Sequence, residues 1–306
     1  MRCVRYLLAA WCVVLAAEPV CAQSDELRCL DDLFSSSAPW SGDARTQRIL
    51  NARREAKQEP LATDRPDITE TSSVVGLGIV VMESGYTFFY RDDERDGSIS
   101  RTHTTPEFLW RIGFHEGAEL RIVWTYQWDE ITAGGARSTP NGGNDLDIGF
   151  KFQLLRQDGW IPETAAITGI SMPTGAQEFN TEDVQYELVF LFGWELADDW
   201  ELGINSGFGT ETEDVMLGPG AIDRDGYVRF IQTIAISRPI TESLGFYSEY
   251  VGLYTVGRRE NFPENLVAAG FTYLFCKDVQ FDVRGGKGLN DHADDFFSGV
   301  GLSVRF

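Results

Sequence analysis

From Val74 to the last residue, apolar and polar positions alternate with a period of two. Leu120, Ile122, Trp124, Tyr126 and Trp128 interleave with Glu119, Arg121, Thr125, Gln127 and Asp129. Leu146, Ile148, Phe150, Phe152 and Leu154 interleave with Asp147, Gly149, Lys151 and Gln153. The same holds for Val184, Tyr186, Leu188, Phe190, Phe192 and Trp194 against Gln185, Glu187, Gly193 and Glu195, and for Trp200, Leu202, Ile204 and Phe208 against Glu201, Gly203, Asn205 and Gly207. Side chains that alternate in this way lie on opposite faces of a strand. One face stays apolar for roughly nine to eleven residues with Trp or Tyr near its ends, which is the length and dressing of a tilted strand crossing a bilayer. The other carries charges and glycines, as a water-facing lumen would.

The pattern predicts twelve strands, at residues 74–90, 99–113, 118–131, 144–157, 163–173, 184–197, 200–211, 227–238, 242–256, 265–276, 279–288 and 296–306. Short connections at 115–117, 158–162, 198–199, 239–241 and 277–278 alternate with long polar ones at 91–98, 132–143, 174–183, 212–226, 257–264 and 289–295. Turns on one side of a membrane and loops on the other give this alternation. A strand in lipid cannot leave backbone amides and carbonyls unpaired, so the sheet must close. The expected fold is all-β: a transmembrane antiparallel up-and-down barrel over residues 74–306, with a lumen wider than side chains alone would fill.

The inward polar residues are the candidate pore lining: Arg121, Gln127, Asp147, Lys151, Glu187, Glu195, Glu201, Asn205, Glu249, Asp282, Arg284 and Arg305. Such charges can pair with one another across the barrel or line a path that selects what passes. The chain ends with Val300, Leu302, Val304 and Phe306 alternating with Gly299, Gly301, Ser303 and Arg305. A terminal aromatic of this kind resembles the signal read by the barrel-assembly machinery.

The residues before the barrel read differently. Arg2 and Arg5 precede an apolar run from Tyr6 to Ala17, and Val20-Cys21-Ala22 fits a cleavage site, so residues 1–22 are expected to be a signal peptide. Residues 23–73 read as a periplasmic extension or linker. A short helix is expected between Asp43 and Gln58, with a lumen plug or a partner-binding helix as other roles for the segment. Cleavage leaves Cys29 and Cys276 of the five cysteines, enough for one disulfide in an oxidising compartment.

Composition narrows the function. A formal net charge of -21 argues against nucleic acid, whose phosphates need a basic surface. The expected surroundings are outer-membrane lipid and lipopolysaccharide, and the barrel is expected to be a monomer. Neither cysteine has a His or Cys cluster near it, so no zinc site and no cofactor is expected. Of the three histidines, His115 sits in a turn, and His103 on a strand would need an outward Ser for lipase-like chemistry. Asp291-His292-Ala293-Asp294-Asp295 is the best catalytic or cation-binding constellation. The Gly pairs at 134–135, 142–143 and 285–286 lack the Lys-Ser/Thr and helix of a phosphate loop.

Thr63-Asp64-Arg65-Pro66-Asp67-Ile68-Thr69-Glu70-Thr71 leads into a strand bearing Glu83-Ser84-Gly85-Tyr86. This opening resembles that of the outer-membrane family of meta-pathway phenol-degradation transporters, although Thr71-Ser72 stands in place of the family's Ser-Pro after Thr-Glu. The resemblance spans residues 63–306 and implies a barrel that passes small, aromatic or hydrophobic solutes, with no catalytic residue to carry over. The expected function is therefore passive passage of small solutes. A closed structural or surface-interaction barrel is the second reading, and an outer-membrane hydrolase the third.

Overall fold

The computed structural model describes residues 44–58, 61–95, 97–218, 221–258 and 260–306. The signal peptide and Cys29 fall outside the described residues. Cys276 is disulfide-bonded, and every other cysteine of the chain lies outside them.

A helix α1 (Ala44–Ala56) precedes the sheet. The strands are β1 (Val80–Asp93), β2 (Ser98–His115), β3 (Ala118–Ala133), β4 (Ala136–Ser138), β5 (Asn141–Gly143), β6 (Leu146–Leu155), β7 (Glu163–Met172), β8 (Gln185–Glu195), β9 (Glu201–Gly218), β10 (Ala221–Pro239), β11 (Leu244–Val256), β12 (Pro263–Cys276), β13 (Val279–Gly288) and β14 (Phe296–Arg305). β4 and β5 are short ladders on the upper part of β3. The remaining twelve form a closed antiparallel barrel. Closure runs from Val81 opposite Arg305 to Tyr90 opposite Phe296, so β1 and β14 leave no edge.

Three sequence boundaries need correction. The first strand begins at Val80, not at 74, because the preceding residues turn under the barrel: Gly113 O accepts the Gly78 N–H, and Gly76 O accepts the Ile79 N–H. Within 212–226, expected to be a loop, residues 212–218 and 221–226 continue β9 and β10 as paired strands, with Glu213 opposite Asp225. Residues 132–143 contain β4 and β5. In both regions polar composition imitates a loop, but backbone pairing needs no apolar side chain.

The register sorts the side chains. Phe150, Phe190, Phe208, Phe230 and Phe271 are exposed on the outer face, where a soluble protein would aggregate and a bilayer provides apolar solvent. Glu83, Arg111, Glu119, Lys151 and Asp282 are fully buried on the inner face. The barrel is thus apolar outside and polar within. Its largest described apolar cluster, Leu61, Val75, Ile79 and Val81, lies at the end carrying the short turns.

Candidate functional site: the lumen and the segment inside it

Inter-strand pairing puts opposed residues on the same face, so one inward position fixes the rest. Arg121 opposes Gly149, which opposes Gly169, then Glu187, Gly209 and Arg229. By this register all the candidate lining residues, from Arg121 round to Arg305, point inward. Their surroundings differ. Arg305 sits at the turn-end rim on Asp278 at 2.7 Å, and Glu201 accepts the Ser237 hydroxyl at 2.9 Å. Gln127 donates to Asp129. Arg121, Lys151, Asn205, Glu249, Asp282 and Arg284 all meet residues 63–73, which the sequence reading placed in the periplasmic extension or linker, with a lumen plug as one other role. That segment instead runs through the lumen.

Its contacts reach around the wall from β1 to β13. Asp64 lies 3.3 Å from Arg111 and 3.0 Å from Lys151, and it also pairs with Arg121. Glu83 accepts the Asp64 and Arg65 N–H groups at 3.1 and 2.8 Å. The Arg65 guanidinium joins Glu107 at 2.7 Å to Asp282 at 3.2 Å. Arg284 donates to Pro66 O at 3.0 Å. Glu249 accepts the Thr69 N–H at 2.9 Å and its hydroxyl at 2.8 Å. Glu70 takes Arg121 through both oxygens, and the Asn205 amide faces the Glu70 backbone. The chain then returns: Ser72 donates to Glu163 at 2.9 Å, Lys151 to Thr71 O at 3.0 Å, and the Val75 N–H to Glu119 at 2.7 Å.

The opening stretch and the first strand fit each other. A Cβ on Gly85 would stand 2.5 Å from Arg65 Cζ, so only glycine lets this guanidinium lie against the wall. Glu83, two residues earlier on the same face, receives the backbone of the same turn. Glu-x-Gly on the strand is therefore the seat of Asp-Arg-Pro. Sequence reasoning missed Asp64, Arg65, Glu83, Glu107, Arg111 and Glu119 as site residues. Glu83, Arg111 and Glu119 share the inward parity, which was the available signal.

The lumen continues towards the long loops. Glu187 is exposed within it, flanked in its row by Gly169 and Gly209, with Asp147 within electrostatic reach. Neither carboxylate forms an ion pair among the described residues. Among the described residues, the groups around His103 and His292 do not assemble as catalytic constellations. His103 faces outward, with Tyr86 Oη 2.9 Å from its Nδ1 and Trp128 stacked at 4.8 Å. His292 stacks on Phe262 at 4.2 Å and meets Arg95 at 2.7 Å, not the neighbouring aspartates. Among the described residues no three His, Cys, Asp or Glu side chains are placed to hold a metal.

Residues 63–306 match the family model described as "Putative MetA-pathway of phenol degradation". The chain belongs to this family. The matched region begins with the segment inside the lumen and ends with β14. No curated protein matches the chain. Among solved structures, an outer membrane channel from Pseudomonas putida F1 superposes with a TM-score of 0.61 at 11% identity, covering 79% of this chain and 99% of that one. The translocator domain of the autotransporter NalP from Neisseria meningitidis gives 0.55 at 11% identity, covering 90% and 99%. At these identities the likeness establishes the fold.

Proposed function

We propose that the protein is a monomeric outer-membrane channel for passive passage of small solutes, closed at rest by its own residues 63–75. The phenol-degradation family makes small aromatic or hydrophobic solutes the first candidates. The short turns and both termini face the periplasm, and the long loops face outward among lipopolysaccharide. Residues 1–22 direct export, and Phe306 is the mark read by the assembly machinery. No cofactor enters this reading.

The observation that carries it is the division of the lumen. One half holds water-accessible wall around Glu187, and the other is filled by a non-covalent polar segment rather than by a packed apolar core. A segment held by hydrogen bonds and ion pairs can leave, since water can replace each partner. The density of those contacts is also what favours the second reading, a permanently closed structural barrel.

Planar-bilayer conductance decides between them. The full chain and a variant in which residues 61–76 are replaced by a Gly-Ser linker are refolded and checked by heat-modifiable gel mobility. The channel reading expects rare openings in the full chain and steady conductance in the variant. A folded variant that never conducts supports the closed barrel instead.

A further inference from the structure

The loop between β7 and β8 folds inward. Gly142 opposes Gln127 on the inner face, and Ala176 and Phe179 stand over it: a Cβ there would lie 3.2 Å from Phe179 Cδ2 and run into the Ala176 methyl. The Ala176 N–H donates to Gly143 O at 2.8 Å. This loop therefore lies on the inside of the mouth rather than splaying into solvent.

One carboxylate fixes it there. Asp145, only 7% exposed, accepts the Gly175 N–H at 2.7 Å, the Thr181 N–H at 2.9 Å and the Thr181 hydroxyl at 2.6 Å. No cation pairs with it among the described residues, so its acceptors serve the two ends of one loop. Between those ends the Phe179 N–H closes a tight turn onto Ala176 O, and the Glu182 N–H binds Asn180 Oδ1 at 2.6 Å. On the other side the loop is tied to the β9–β10 hairpin by Thr212 to Thr181 O at 3.3 Å and by Arg224 to Glu182 at 2.6 Å.

Resting on the channel reading above, we propose that residues 173–183 form a size-limiting eyelet at the loop end, with Asp145 its positioning residue and Phe179 the side chain that narrows it. A solute that clears the eyelet next meets Asp147 and Glu187. The sequence of an aromatic rim and then carboxylates with no ion pair among the described residues suits a small neutral or cationic solute with an apolar face, and disfavours anions.

The test reads access to the lumen without requiring conduction. In Glu187→Cys the only added thiol lies below the eyelet, while the turn end stays plugged. The refolded barrel is treated with a small methanethiosulfonate and with polyethylene-glycol maleimides of increasing size. The small reagent should label freely and the large ones at least an order of magnitude more slowly. Adding Phe179→Ala, or Asp145→Ala, should let the large reagents in, with Asp145→Asn falling between. Fast labelling by the large reagents in Glu187→Cys alone overturns the eyelet, as does unchanged exclusion after both substitutions. Failure of the channel reading would show separately, as a plug-free barrel that labels but never conducts.

Discussion

In the half of the lumen near the short turns, an interlocked set of charges meets opposite ones. Asp64 faces Arg111 and Lys151, and Arg65 joins Glu107 to Asp282. In the half near the loops, Asp147 and Glu187 stand on inward positions of the same wall with no ion pair among the described residues. The difference is water. A charge out of water needs a partner, because desolvation costs several kcal/mol per ion that only good pairing offsets. The wall alone does not pair its charges at the turn end, and the inner segment supplies what is missing. Asp147 and Glu187 can stand without an ion pair only where water reaches them.

The comparison breaks most easily at Asp64. Its removal leaves Arg111, Arg121 and Lys151 short of a shared carboxylate. Losing one partner of a buried ionic group typically costs about 3–5 kcal/mol, so docking of the segment should weaken by roughly two to four orders of magnitude. Asp64→Ala should therefore conduct steadily and become open to protease between residues 61 and 76, with gel mobility still that of a folded barrel. If the segment stays protected, the charges are not what holds it, and the contrast between the halves loses its energetic meaning.

A smaller effect belongs to Glu187. It is exposed, so its charge acts through water and counterions, and about 1 kcal/mol is an upper expectation. In the barrel freed of its inner segment, Glu187→Gln should reduce cation over anion preference a few-fold, read as a reversal potential in a salt gradient. Glu201→Gln, at the turn-end rim beside Ser237, should do less. Equal effects from the two would mean that the loop half is no more selective than the rim.

The period of two made the barrel legible in the sequence, since each inward residue follows from parity once one is placed. It made the wall side of the site legible too: Lys151, Glu249 and Asp282 were found from alternation alone. The inner segment was not, because residues 61–76 have no period. Their order comes from pairing with wall residues distant in sequence, such as Ile68 and Thr69 with Glu249. Alternation also gives the face but not the height, so it could not separate Lys151, buried under the segment, from the exposed Glu187. The run of Asp, Arg, Thr and Glu read as a solvated linker because its partners are charges, and a segment that fills a polar lumen has the composition of one that never leaves solvent.

The finest test of the comparison is pH, through Asp67. In the docked segment, burial first and the nearby Glu249 carboxylate second raise the Asp67 carboxyl above its ordinary value, which is about 3.9. Asp64 shifts the other way: burial raises it, but Arg111, Lys151 and Arg121 together outweigh that and hold it well below the ordinary range. The signs then separate. For Asp67 the docked state binds the proton more tightly than the displaced state, so docking strengthens as pH falls through the raised value, and the gain is complete below about 3.9. Asp64 stabilises docking above that ordinary value and loses its contribution only as pH falls towards its depressed one. From neutral pH down to about 4, Asp67 therefore sets the direction, Glu70 of the same segment, pushed up to about 8 by burial, acts in the same sense, and the channel should close on acidification. Open probability or protease access at residues 61–76, followed over that range, should fall in the native chain and respond much less in Asp67→Asn. A variant that keeps the native pH profile would place the titrating group elsewhere, and the docked segment would then tolerate Asp67 as a charge that water still reaches.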